Sequence, residues 1–169
     1  MAEPIGGHDG PYDAPVRIGP RRVARDWIDY NGHMNVTYYT QAFDDAVDVF
    51  LARELGVGPD YVAAQGQGPY ALQSHMHYLG ELLEGASFTV AVRLLDADAK
   101  RLHLFMELVA DETGDISATC EQVLMNVDLT LRRSTAYPEK VQSRFRRMRD
   151  NHRNLPAVAQ QGAPIGIRR

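Results

Sequence analysis

The sequence predicts an α+β domain in which one long helix lies against an antiparallel sheet, and three observations carry that expectation. Tyr39, Ala42, Phe43, Ala46, Val47 and Phe50 recur at the i, i+3, i+4 spacing that puts them on one helical face. After Pro69 the apolar period drops to two and keeps that value through four successive segments. The stretches between those segments are short and rich in Asp, Glu and Gly, and such connections join antiparallel neighbours.

Taken in order, residues 1–15 carry Pro4, Gly6, Gly7, Gly10, Pro11 and Pro15, the composition of a flexible, loosely held arm. Val16 to Asp29 reads as a strand bent at Gly19-Pro20, and Asp26 to Asn35 has the Asp/Asn/Gly mixture of a loop. Asn35 or Thr37 caps the helix and Gly56 stops it; Gly56 to Pro69 is a linker with a short turn near Pro59 to Ala64. Four strands follow: Tyr70 to Leu79, Phe88 to Leu95, a third around Leu102 to Leu108, and Ile116 to Leu131. Their turns fall at Glu84-Gly85, Asp96 to Lys100 and Asp111 to Asp115. In the tail, Lys140, Arg144, Arg146, Arg147, Arg149 and Arg153 surround Val141, Phe145 and Met148, a basic amphipathic helix docked by Phe145. The chain therefore divides into an arm (1–15), a domain (16–138) and a partly helical basic extension (139–169). One helix cannot cover both faces of a sheet of five or six strands. Either the sheet wraps around it, or a partner buries the open face.

A length of 169 residues suits one domain, and 44% hydrophobic with 24% charged residues is a globular balance. No apolar run approaches the roughly 20 residues that cross a bilayer, and the acidic Gly/Pro-rich start is unlike a secretory signal. The single Cys120 excludes an internal disulfide and suits a reducing cytoplasm. A net charge of -4 counts against nucleic acid as partner. His77 follows His75 by two, which puts both imidazoles on one strand face as zinc would require. No Cys accompanies them and a third ligand is not evident, so no metal is expected.

The chemistry concentrates in Asp29-Tyr30-Asn31-Gly32-His33-Met34-Asn35, between the first strand and the helix. This loop sets a carboxylate, an imidazole and two amides beside a helix N-terminus, whose free N–H groups polarise a carbonyl or hold an oxyanion. A carboxylate there can attack that carbonyl or activate a water. Equally, Asp29 and Asn35 can cap the helix while Gly32 serves a turn. Spacing alone leaves both readings open.

The same run, followed by Tyr38, Tyr39 and an alanine-bearing helix, resembles the hot-dog thioesterases of the 4-hydroxybenzoyl-CoA type: Asp, two residues, Gly-His, one residue, Asn, then the helix. The resemblance spans about Val23 to Leu131. It implies an antiparallel sheet wrapped around one central helix, hydrolysis of a small acyl-CoA, and a site in the seam of a homodimer or homotetramer. It also implies no cofactor, coenzyme A being part of the substrate. By position, Asp29 takes the catalytic role as nucleophile or base, and the N–H of Val36 polarises the thioester. The Asp-x-Asn-x-His order is also similar to plant acyl-carrier-protein thioesterases. That likeness gives Asn31 and His33 an orienting role and, through the spacing of Tyr78 to Glu81, a second-tier role to Glu81. Asp44 lies near the helical acid of another hot-dog subclass and ranks below Asp29.

Together with Asp98 to Phe105, the loop resembles the thioesterases of bacterial carnitine breakdown, which act on betainyl-CoA. A quaternary ammonium would need aromatic faces, for which Trp27, Tyr30, Tyr38, Tyr39 and Tyr70 are available. Gly32, Asn35, His75 and His77 are further candidates near the substrate, and Lys100 and Arg101 for the CoA phosphates. Two rivals remain. Hot-dog hydratases carry an Asp-x-Asn-Pro-x-His loop, which differs here by the missing proline and the earlier His; a non-catalytic acyl-CoA-binding module is the other.

Overall fold

A computed structural model describes residues 6–167. β1 (Val16–Arg22) leads through a 3-10 turn (Arg25–Trp27) and the motif loop into α1 (Val36–Phe50), which runs on as a π-helical turn (Leu51–Leu55). A short α2 (Pro59–Gln65) precedes β2 (Gln67–Tyr78), β3 (Ser87–Ala97), β4 (Arg101–Ala110), β5 (Ile116–Asp128), the two-residue β6 (Arg133–Ser134) and α3 (Glu139–His152). The six strands form one antiparallel sheet in the order β1-β3-β4-β5-β2, with β6 on β5.

The core follows from the two periodicities. The six residues of the predicted helical stripe are the buried residues of α1. They pack against Phe88, Val90, Val92 and Leu94 of β3, Leu102, Leu104, Met106 and Leu108 of β4, and Ala118, Cys120 and Leu124 of β5. The sheet thus curls around α1. Gly56 ends the helix with φ 72°, where a side chain would be strained, and a Cβ there would stand 2.5 Å from the Gly6 carbonyl oxygen.

Three expectations are corrected. The first strand stops at Arg22 rather than Asp29, because its register on β3 slips between Ile18 and Arg21 and the chain then turns into the 3-10 segment. β2 does not pair with β3 across the Glu84-Gly85 turn; it pairs with β5 and lies at the sheet edge. Residues 1–5 lie outside the described region, but residues 8–15 are not loosely held. His8 bonds Glu54 at 2.8 Å, Asp9 bonds Arg144 at 3.0 Å, Tyr12 is buried, and the Asp13 carbonyl meets His152 at 2.7 Å. The basic tail forms the expected helix docked by Phe145, and Val141 and Met148 of α3 join the same core. No helix among the described residues is long and apolar enough to cross a membrane.

Candidate active site

The motif loop folds as a tight turn closed on both sides. The Gly32 N–H donates to the Asp29 carbonyl at 3.0 Å, the Asp29 N–H to the His33 carbonyl at 3.1 Å, and the Asn35 N–H to the Trp27 carbonyl at 2.8 Å. Gly32 has φ 83° with open space around it, so backbone conformation and not crowding demands glycine. Nearby, the Met34 N–H donates to the Leu82 carbonyl at 2.8 Å, and the Met34 side chain is buried. That bond ties the loop to the segment leaving β2.

The Asp29 carboxylate is placed by the same turn. One oxygen accepts the Asn31 N–H at 2.8 Å and the other accepts the Asn35 amide at 3.1 Å. Asn35 is the N-cap of α1: its side-chain oxygen takes the Thr37 N–H at 3.0 Å and its carbonyl takes that of Tyr38. The Val36 N–H has no acceptor among the described residues. A half-buried carboxylate is therefore fixed next to a helix mouth that keeps a free donor. Each carboxylate oxygen retains a lone pair, which is what proton abstraction or attack requires.

Beside the mouth lies a cavity of about 420 Å³, lined by His33, Met34, Val36, Tyr39, Tyr78, Leu79, Gly80 and Glu81. The segment Leu79-Gly80 is held by N–H bonds of 2.9 and 3.0 Å to the Ser117 carbonyl. The Tyr39 hydroxyl donates to the Gly80 carbonyl at 3.2 Å, and burial raises its pKa above the usual tyrosine value. The His33 ring keeps one nitrogen 3.2 Å from the Met34 carbonyl.

Asp29, Asn31, Gly32, His33, Asn35, Val36, Tyr39 and Glu81 thus gather at one end of the molecule. Other candidates do not join them. Tyr30 projects into solvent, 96% exposed. Trp27 stacks on Tyr38 at 5.2 Å with Arg21 5.4 Å over its ring, so these two rings use one face on each other, and neither lines the cavity at the helix mouth. His75 and His77 sit 4.5 Å apart on the outer face of the sheet, where His75 pairs in register with Glu121. Lys100, Arg101 and Tyr70 lie at the opposite end. Tyr70 and Tyr78 are eight residues apart on β2, about 26 Å at a strand's rise. Arg101 is engaged by Asp98 at 2.6 Å, Lys100 reaches Ser134 at 3.4 Å, and the Arg132 guanidinium meets the Tyr70 hydroxyl at 3.3 Å. Sequence reasoning missed Met34, Leu79 and Gly80 as walls of the mouth, because no local pattern announces a pairing between residues 34 and 82.

Comparisons with known proteins identify the family. The Thioesterase-like superfamily model matches residues 23–145. The chain is 34% identical over 155 residues to the L-carnitine dehydrogenase/betainyl-CoA thioesterase of Rhizobium meliloti, covering 92% of this chain but only 31% of that longer protein. It is 34% identical over 145 residues to the betainyl-CoA thioesterase of Pseudomonas aeruginosa, covering 86% of this chain and 91% of that one. A Staphylococcus aureus protein solved in complex with CoA superposes with a TM-score of 0.84 at 29% identity, covering 94% of this chain and all (100%) of that one. With its sheet curled round α1 and its motif loop at the helix mouth, the chain belongs to the thioesterase-like superfamily of hot-dog proteins.

Proposed function

We propose that this chain hydrolyses acyl-CoA thioesters, and that its substrate carries a small acyl group of the betainyl type named for its relatives. The observation that carries the reading is the Asp29 carboxylate tethered to the N-cap Asn35, next to the unpaired N–H of Val36. The thioester carbonyl oxygen accepts the Val36 N–H, which with the helix dipole stabilises the negative charge that develops there. Asp29 either adds to the carbonyl carbon or takes the proton from a water that does. The C–S bond then breaks and CoA leaves as the thiolate, which takes up the proton of the attacking water; where Asp29 itself has added, a water first hydrolyses the acyl–Asp29 anhydride, and on either route the acyl group departs as the free acid. Asn31 and Asn35 hold the carboxylate, and His33 lines the approach. The route uses no cofactor.

The working unit we propose is a homodimer, or a homotetramer built from it, in the reducing cytoplasm that the buried Cys120 thiol suits. β2 is a 12-residue edge strand whose one sheet partner among the described residues is β5. Leu72 is 51% and Tyr78 49% exposed on it, with Leu79 at 47% just beyond and Val36 at 51% on the helix. A long apolar edge of this kind invites strand pairing with a second copy.

The test is Asp29→Asn, assayed by thiol release. The asparagine keeps the acceptor for the Asn31 N–H but sets its amide against that of Asn35, costing about 1 kcal/mol of stability. The expected rate loss is about 10²- to 10⁴-fold with the protein still folded. Unchanged thiol release defeats the role of Asp29. Saturable acyl-CoA binding without release by the unaltered chain would instead mark a binding module, and enoyl-CoA hydration without release a hydratase.

A further inference from the structure

The mouth cavity has a chemical bias of its own. One wall is the start of α1, where the free Val36 N–H holds the carbonyl; the other is the exit of β2 from Tyr78 to Glu81. An α-substituent on the acyl group, one carbon from that carbonyl, must enter this space. The Tyr78 ring stands against Tyr39 at 5.6 Å and 79°, edge to face, while the Tyr39 hydroxyl is anchored on Gly80. Tyr78 therefore has a fixed orientation and a half-exposed ring.

Glu81 supplies the charge. It is exposed, takes part in none of the described ion pairs, and no Lys or Arg lines the cavity with it. The adjoining cavity of about 840 Å³ shares Leu79, Gly80 and Glu81 and adds Glu84, Glu112 and Asp115, again with no basic residue among its described lining. An aromatic ring with a carboxylate and no competing cation attracts a poorly hydrated cation and repels an anionic acyl group.

Resting on the thioesterase reading above, we propose that Tyr78 and Glu81 form the subsite that selects a quaternary-ammonium acyl group over an uncharged one of the same shape. Tyr78 offers its ring to the methyl groups, and Glu81 neutralises the charge. Neither residue makes or breaks a bond in this role; both determine specificity. The aromatic recognition expected of Trp27 and Tyr38 passes to Tyr78, since Tyr78 lines the mouth cavity and those two, stacked on each other, do not.

The experiment compares betainyl-CoA with 3,3-dimethylbutanoyl-CoA, in which a carbon replaces the nitrogen and nothing else changes. Full-length wild type and the variants Glu81→Gln, Glu81→Asp and Tyr78→Leu are assayed by thiol release on both. The wild type is expected to favour the cation in kcat/KM by at least about tenfold. Glu81→Gln and Tyr78→Leu should each lower that ratio by about tenfold, and Glu81→Asp should restore part of it. A ratio unmoved by either variant overturns the proposal, as does an equal fall on both substrates, which would assign Glu81 to the chemistry. A wild type that cleaves acyl-CoAs but prefers the uncharged ester sinks this inference alone. No thiol release from any acyl-CoA sinks the hydrolase reading and this inference with it.

Discussion

Replacing Val36 by proline deletes one atom of the proposed machinery and almost nothing else. Val36 is the first residue of α1, and proline at that position removes an N–H that no helix carbonyl uses. Asn35 already has φ -65° and ψ 145°, the extended backbone that a residue preceding proline prefers. The Val36 side chain is 51% exposed, so trading it for the pyrrolidine ring costs at most about 1 kcal/mol of burial. Losing a donor to the developing oxyanion costs about 2.7–4 kcal/mol in the barrier, a fall of 10²- to 10³-fold in kcat. The catalytic effect therefore exceeds the folding effect severalfold, and the two are read separately by thiol release at saturating substrate and by thermal unfolding. Val36→Ala is the companion variant, which keeps the N–H and should keep most of the rate. A folded proline variant that turns over as fast as the wild type would refute the placing of the carbonyl at this helix mouth.

Three other outcomes follow from the structure. His152 is buried with Nδ1 accepting the Leu94 N–H at 2.9 Å and Nε2 donating to the Asp13 carbonyl at 2.7 Å, an arrangement only the neutral ring allows. Burial first, then the nearby Arg93 charge, depresses its pKa below 6.5, so the unfolded chain binds the proton more readily. Its contribution is fully present above about pH 6.5 and is lost as pH falls toward the depressed value. Thermal melts should show Tm dropping in that window, and His152→Gln, which can make both bonds without titrating, should flatten the profile. Cys120 is buried with its thiol pushed up to about 12 by burial, so a thiol reagent should leave it untouched in the native protein and react only on unfolding. Leu72→Lys on the open edge of β2 should convert the proposed homodimer to monomer by light scattering, with thiol release falling in step; an active monomer, or a wild type that is itself monomeric and active, would defeat the shared-site reading.

Periodicity made much of the fold legible. The stripe from Tyr39 to Phe50, the alternation of Leu102 to Leu108 and the glycine stop at Gly56 are local signals, and each appears where spacing put it. What periodicity could not convey was non-local. β2 reads as the neighbour of β3 because eight residues separate them in the chain, yet its edge position is decided by pairing with β5, some 40 residues later. The anchoring of residues 8–13 depends on Glu54, Arg144 and His152, so composition alone made the segment look loose. At the site, the motif located the loop, and the N-cap identity of Asn35 explained why a carboxylate six residues earlier faces the helix mouth. The same motif carried no measure of distance along the sheet, which is why Lys100, Arg101 and Tyr70 were grouped with residues at the other end.

That separation bears on how two copies would pair. The mouth end of the molecule is acidic, with Glu81, Glu84, Glu112 and Asp115 around the two cavities. The other end carries Lys100, Arg132 and Arg133 beside Tyr70, with Arg101 paired to Asp98. Pairing two β2 edges in parallel would set acid against acid and base against base, a like-charge arrangement that interfaces avoid. Antiparallel pairing sets each acidic mouth beside the partner's basic end and brings the strand start at Tyr70 toward the opposite Tyr78. A long ligand with an electrophilic ester at one end and phosphates at the other fits that juxtaposition: its ester at the Val36 N–H of one protomer, its anionic end among the arginines of the second. In this arrangement a single chain holds both halves of the recognition chemistry but cannot apply them to one molecule.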